Sequence, residues 1–203
     1  MSEVANRYFI IHKPYNMVSQ FISPDKVGLL GDLNFDFPAG IHAIGRLDSH
    51  SEGLLILTTN KKITRLLFQG KIPHKRTYLV QVKNVVSHES LLQLKNGVSL
   101  CIKSNENYIA VPFDTEIVQE PLSLFKYAKG FYDDYPHTWL LITLTEGKFH
   151  QVRKMVKAIS HRCLRLIRLS IEDLALGDLE PGCVREIEEG EFFARLKINE
   201  TDA

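Results

Sequence analysis

Residues 45–58 constrain this chain more than any other stretch: a polar loop runs without a break into a wholly apolar segment. Arg46, Asp48, Ser49, His50, Ser51 and Glu52 crowd the loop between Gly45 and Gly53. Such a composition is costly to bury and reads as a surface turn. Leu54-Leu55-Ile56-Leu57 follows at once and reads as a short strand covered on both faces. Asp48 is therefore expected on a loop pinned by a core strand, held rigidly yet open to a partner. A solvated tight turn would carry the same carboxylate, so the meaning of Asp48 depends on what the rest of the chain supplies.

With 203 residues, 44% hydrophobic and 24% charged, the chain can bury a sizeable core as one large domain or two packed halves. No apolar run is long enough to span a bilayer. The first seven residues lack the basic start and apolar stretch of a signal peptide, so the expected location is the cytoplasm. Cys101, Cys163 and Cys183 are odd in number and form no CxxC pair. That argues against a zinc site or a disulfide framework and predicts small buried or half-buried residues.

The net charge of +1 argues against a protein that coats nucleic acid by bulk charge. The distribution is uneven, however. Between residues 147 and 171 stand Lys148, Arg153, Lys154, Lys157, Arg162, Arg165 and Arg168, with no carboxylate among them. From Glu172 onward the chain turns acidic. A concentrated basic segment is the footprint of a phosphate-bearing partner. Its bland alternative is a solvated helix face offset by the acidic stretch.

The apolar pattern predicts an opening strand over residues 7–11 that stops at Lys13-Pro14, then a second extended segment over 15–21. Thr59 or Asn60 is placed to cap a helix through Ile63, Leu66, Leu67 and Phe68, with Gly70 as its stop. Tyr78, Val80 and Val82 alternate along a strand that follows a basic turn. Ser87 caps a helix with Leu91, Leu92 and Leu94 on its apolar side and Gly97 as its end. Short strands are expected at 98–100, 108–110, 115–118 and 138–144, with a polar turn at 104–107 and a long connection over 126–137. The strongest helix signal covers 151–160. Val152, Met155, Val156 and Ile159 form its apolar face, opposite Arg153, Lys154 and Lys157. Strands at 163–169, 172–176 and 184–187 complete the reading. Strands dominate and helices do not alternate strictly with them, which predicts an α+β fold with a mixed, mostly antiparallel sheet.

Three segments stand out: the Asp48 loop, the strand of Tyr78, and the turn and helix from Glu146 to Met155. Ser49 and His50 adjoin Asp48, but sequence neighbours do not make a triad, and no nucleophile elbow is present. No P-loop or G-x-G-x-x-G occurs, so no nucleotide cofactor is indicated. What remains is one carboxylate with an arginine and a tyrosine. A nucleophilic Asp must stay ionised, a guanidinium nearby would keep it so, and an aromatic ring can stack on an unstacked base. Trp139, Met155 and Phe149 read as packing residues. His150 and His161 are divided between RNA contact and plain surface positions.

These residues carry a resemblance. Gly45-Arg46-Leu47-Asp48-x-x-x-Glu52-Gly53-Leu54-Leu55-x-Leu57-Thr58 resembles the catalytic signature of the RsuA-type pseudouridine synthases. Glu146-Gly147-Lys148-x-x-Gln151-Val152-Arg153-Lys154-Met155 resembles their second signature, and Cys163-Leu164-Arg165-Leu166-Ile167-Arg168 the strand after it. Asn96-Gly97-Val98-Ser99-Leu100 and Glu120-Pro121, with the long connection to Thr138-Trp139-Leu140, are similar to the E-type branch of the synthases that act on the large ribosomal RNA. The resemblance spans about residues 8–187. It implies a pseudouridine synthase fold with a central cleft, and isomerisation of a uridine in ribosomal RNA, most like large-subunit (23S) RNA, without cofactor or metal.

By the same resemblance Asp48 is the nucleophile, Tyr78 stacks on the target base, and Arg153 pairs with the aspartate. Arg46 and Lys148 hold the loop and nearby phosphates, and Leu166 lines the pocket. Gln151 and Lys154 belong to the RNA-facing helix. The whole is expected as a single catalytic domain over residues 7–199, two tightly packed halves without a separate N-terminal RNA-binding module, and as a monomer. The alternatives are a non-catalytic RNA-binding or ribosome-assembly module, which would have lost Asp48, and small-subunit or transfer RNA as substrate. A glycoside hydrolase would need a second carboxylate, for which Glu52 alone is close.

Overall fold

The structure, a computed structural model, describes residues 5–68, 70, 72–101, 107–128 and 134–199. In chain order its elements are β1 (Tyr8–Lys13), a 3-10 turn (Leu30–Asp32), β2 (His42–Ile44), β3 (Glu52–Thr58), α1 (Ile63–Phe68), β4 (Arg76–Lys83), α2 (His88–Asn96), β5 (Val98–Cys101) and β6 (Asn107–Ala110). They continue with β7 (Asp114–Val118), α3 (Pro121–Leu124), β8 (His137–Leu144), α4 (Gln151–Ala158), β9 (Cys163–Ile171), β10 (Leu174–Ala175), β11 (Val184–Ile187) and α5 (Glu189–Leu196). This is the α+β fold that the sequence predicts. It divides into two compact units, residues 1–74 with 170–203, and residues 75–169.

The first unit is built on β1, which is buried along its whole length. It pairs antiparallel with β3 from Tyr8↔Thr58 to Lys13↔Gly53, and with β11 from Tyr8↔Ile187 to Ile11↔Val184. Every residue of β3 is buried as well, as its unbroken apolar run requires. β2 also pairs with β3. Phe192 and Phe193 of α5 pack on Tyr8 at centroid distances of 4.4 and 5.7 Å. The Tyr8 hydroxyl donates to Glu189 at 2.6 Å and accepts from Asn60 Nδ2 at 3.0 Å. Asn60 Oδ1 in turn accepts from the Lys62 amide at 3.0 Å, at the start of α1.

The second unit is a sheet in the order β9-β4-β8-β7 with a separate β5–β6 ribbon. β4 and β8 pair antiparallel over eight residues, Arg76↔Leu144 to Lys83↔His137. β7 takes the other edge of β8. Ser87 caps α2 by accepting the Ser90 amide, and Gly97 ends it, as the sequence predicts. Along α4, Val152, Met155 and Val156 are buried.

Several expectations fail for identifiable reasons. Residues 15–21 form no strand; they contribute one isolated bridge, Met17↔Gly28. The strand expected over 172–176 is a turn and two paired residues: Glu172 adopts left-handed φ 47 and reverses the chain, which leaves Leu174 and Ala175 to pair back on β9. The α2 face is narrower than its leucines suggest, since Leu92 is exposed and Leu94 alone is buried. Cys101 and Cys183 are exposed. Helix α5 has no counterpart in the sequence reading; its cap is a glutamate, Glu188, rather than one of the usual small capping residues. The predicted turn at 104–107 and the middle of the 126–137 connection fall largely outside the described residues.

Candidate functional site

In the first unit the Asp48 loop is fastened from behind. The backbone turns at Gly45 with φ +70, where an added Cβ would stand 2.9 Å from the Phe68 ring. Leu47 is buried, and both its amide and its carbonyl bond to the Ser19 hydroxyl at 2.9 Å. The Ser51 amide donates to the Asp48 carbonyl at 2.9 Å and closes the turn. The fully buried Lys13 ammonium donates to the carbonyls of Met17 (2.6 Å), Pro14 (2.8 Å) and Ser49 (3.4 Å). A lysine is buried this way only when its donors are used. Ser51 and Glu52 are buried, so the loop is a surface turn only as far as His50, contrary to the composition argument. Asp48 is half-buried, Arg46 is exposed, and His50 is exposed with its ring 5.2 Å from Tyr15.

In the second unit Tyr78 lies on β4, paired with Ile142, with 8% of its surface exposed. The alternation predicted for this strand puts it beside Arg76, also buried. Burial lowers the affinity of the Arg76 guanidinium for its proton; the Tyr78 phenol opposes that shift and Arg168 adds to it. Tyr78 thus sits near the buried guanidinium of Arg76, which in turn feels that of Arg168, a residue of the basic segment that is buried and not part of an open phosphate-facing surface. The sequence signal for both was an arginine on an apolar strand, where a charge needs a reason to be.

The turn before α4 is a closed polar ring. The Gln151 amide nitrogen donates to Glu146 Oε1 at 2.5 Å, and its amide oxygen accepts from the Lys148 backbone at 2.8 Å. Tyr108, reaching from β6, donates to Glu146 Oε2 at 2.5 Å. That bond pushes the Tyr108 phenol up to about 12. Lys148 Nζ stands 4.0 Å from Glu146 and 4.2 Å from the Tyr108 ring centroid. Gln151 is buried, and both ends of its amide frame this turn.

Arg153, in the first turn of α4, lies near Cys163: burial pushes that thiol up to about 11, and the Arg153 charge acts to lower it. Lys154 donates to the Cys101 carbonyl at 3.3 Å. Leu166 is buried on β9. His161 is buried, with Nδ1 2.9 Å from the Lys83 carbonyl, so it is not a plain surface residue. Phe149 is 72% exposed and is not a packing residue. Trp139 and Met155 are core residues, as expected. Among the described residues no cluster of three or more His, Cys, Asp or Glu could hold a metal ion. Nor is any described helix long and apolar enough to cross a membrane.

The structure therefore gathers Lys148 and Gln151 on one turn, which Tyr108 reaches from β6, and sets Tyr78 near Arg76, in the second unit. Asp48 and Arg46 share a loop of the first. The family model for RNA pseudouridylate synthase matches residues 7–158, a stretch that holds the Asp48 loop, β4 and the whole of α4. The ribosomal large subunit pseudouridine synthase E of Vibrio parahaemolyticus is 36% identical over 189 residues, 92% of this chain and 76% of its own length. The protein of that name from Xanthomonas axonopodis pv. citri is 32% identical over 174 residues, 85% of this chain and 89% of its own. The ribosomal small subunit pseudouridine synthase A of Escherichia coli K12 is 28% identical over 187 residues, 92% of this chain and 72% of its own.

A crystal structure of a pseudouridylate synthase superposes with a TM-score of 0.71 at 25% identity, covering 97% of this chain and 76% of the other. The human RNA pseudouridylate synthase domain containing 1 shares the fold at a TM-score of 0.52 and 17% identity, over 87% of this chain and 68% of the other. Matched through the loop, strand and helix that carry its distinctive residues, this chain belongs to the RNA pseudouridylate synthase family of isomerases.

Proposed function

We propose that this chain isomerises one uridine of large-subunit ribosomal RNA to pseudouridine, with Asp48 as nucleophile. The observation that carries the reading is that the family match runs through Asp48, Tyr78 and Arg153 together. The relative 36% identical over most of the chain has a large-subunit name, which points to that substrate. In the net reaction the N1–C1′ bond breaks, the base turns, and C5 bonds to C1′. C5 then gives up its proton and N1 receives one. The change is redox-neutral and moves no group between molecules, so it needs no cofactor.

Asp48 suits the role because Lys13, Ser19 and Ser51 fix the backbone on both sides of it. Arg153 is assigned to pair with the carboxylate and keep it ionised. Tyr78 is assigned to stack on the base, which leaves its helix at a cost of a few kcal/mol. Leu166 supplies an apolar wall, and Arg46, Lys148 and Lys154 meet phosphates. Gln151 acts by shaping the turn from which Lys148 projects. Residues 7–199 act as one catalytic domain, in the cytoplasm and as a monomer.

The test is to map pseudouridines in RNA from cells lacking the protein, then restore the wild type or Asp48→Asn. One large-subunit site should vanish, return with the wild type and stay absent with Asp48→Asn. Its return with Asp48→Asn would rule out the nucleophile assignment. Loss of a small-subunit or transfer-RNA site instead would overturn the substrate.

A further inference from the structure

Phe149 stands in the turn just before α4 and is 72% exposed. Leaving such a ring in water forgoes the stabilisation that burial would give. The ring nonetheless has an aromatic neighbour. It stacks on the His150 imidazole with centroids 3.9 Å apart and planes 17° from parallel. His150 adopts left-handed backbone angles, φ 53 and ψ 30, an unfavourable conformation for a residue other than glycine. A stacked flat pair is therefore displayed to solvent at the head of a helix.

Its surroundings are cationic. Lys154 Nζ lies 5.6 Å from the Phe149 ring centroid, Lys157 is exposed one turn further along α4, and Lys148 precedes the pair. No carboxylate occurs between residues 147 and 171. A protein partner would favour an apolar pocket around the ring. Single-stranded RNA instead offers a π-face for the ring and a phosphate for the lysines within one nucleotide, the combination that stacking platforms on basic grooves exploit.

We propose that Phe149, backed by His150, is a stacking platform for an unpaired base of the RNA substrate, with Lys154 and Lys157 taking the neighbouring phosphates. The inference rests on the RNA-directed reading above. It gives Phe149 a part in binding and none in bond-making. Base–aromatic stacking is worth about 1–3 kcal/mol per base, which corresponds to a 5- to 150-fold change in affinity.

Binding of a short single-stranded oligouridylate and single-turnover isomerisation of unmodified large-subunit RNA test this together. Phe149→Ala should weaken oligouridylate binding 5- to 150-fold and leave the rate at saturating RNA unchanged, whereas Phe149→Tyr should bind as the wild type does. In Phe149→Trp the new indole is exposed while Trp139 is buried, so RNA should quench it well beyond the wild-type signal. Unchanged binding by Phe149→Ala, or a Phe149→Trp emission that RNA leaves as in the wild type, would overturn the platform. If the wild type isomerises no uridine but these binding effects appear, the isomerase reading falls and the platform stands.

Discussion

The Ser19 hydroxyl holds Leu47 by both of its backbone groups, donating to the carbonyl and accepting from the amide at 2.9 Å each. A side chain 28 residues upstream thus fixes the residue next to Asp48. Ser19→Ala removes both bonds and leaves two buried backbone groups without them. The expected loss of stability is about 1–3 kcal/mol. Because Asp48 loses its fixed neighbour, kcat should fall while RNA affinity changes little. Urea unfolding and single-turnover kinetics read the two effects separately.

Lys13 makes a related contribution from the end of β1. Its ammonium is fully buried among three carbonyls, and Lys13→Met fills the same space without the donors. The carbonyls of Pro14, Met17 and Ser49 then lose a charged partner, at a cost of about 1–3 kcal/mol. Lys13→Arg should not restore stability, because a planar guanidinium does not fit a site shaped for a compact ammonium. The denaturant midpoints of the two variants check this.

Gly45→Ala meets two obstacles that can be separated. The φ of +70 disfavours any side chain, and the new methyl would lie 2.9 Å from the Phe68 ring. The conformational part is about 1–2 kcal/mol and the overlap adds about 1–3 kcal/mol. Phe68→Leu should relieve only the second part, so a thermal-denaturation double-mutant cycle should show coupling of the two substitutions.

The bond between Tyr108 and Glu146 gives a pH signature. The phenol titrates near 12 when folded and near 10 when free. Between those values the folded chain keeps a proton that the unfolded chain has lost, so stability falls as pH rises. The contribution is complete below pH 10 and gone above about 12. Chemical denaturation across pH 9–12 should show this decline in the wild type and a flatter curve in Tyr108→Phe, which is already less stable at pH 9.

Elements whose burial is uniform along one stretch were legible in the sequence. β3 is apolar throughout because it is covered throughout, and α4 shows its core face at helical spacing. Features created by distant partners were hidden. Ser51 and Glu52 look like surface residues but are buried by the fold around the loop. Glu172 resembles a strand residue, yet it turns the chain and bonds to Lys197 while meeting His74. Phe149 has the composition of a core residue and the position of a surface one. The roles of Lys13, Ser19 and Tyr108 depend on contacts across many residues, which no local pattern encodes.

The antiparallel pairing of β1 with β11 sets a timetable for the growing polypeptide. The second unit is one uninterrupted segment, residues 75–169, and its strands can zip up while translation continues. The first must wait: Tyr8 cannot meet Ile187 until the β11 segment has been synthesised and has left the ribosome. Until then, β1, which the fold buries along its whole length, lacks one of its two neighbours, and a nascent chain stalled before residue 184 should be the protease-sensitive, chaperone-bound form.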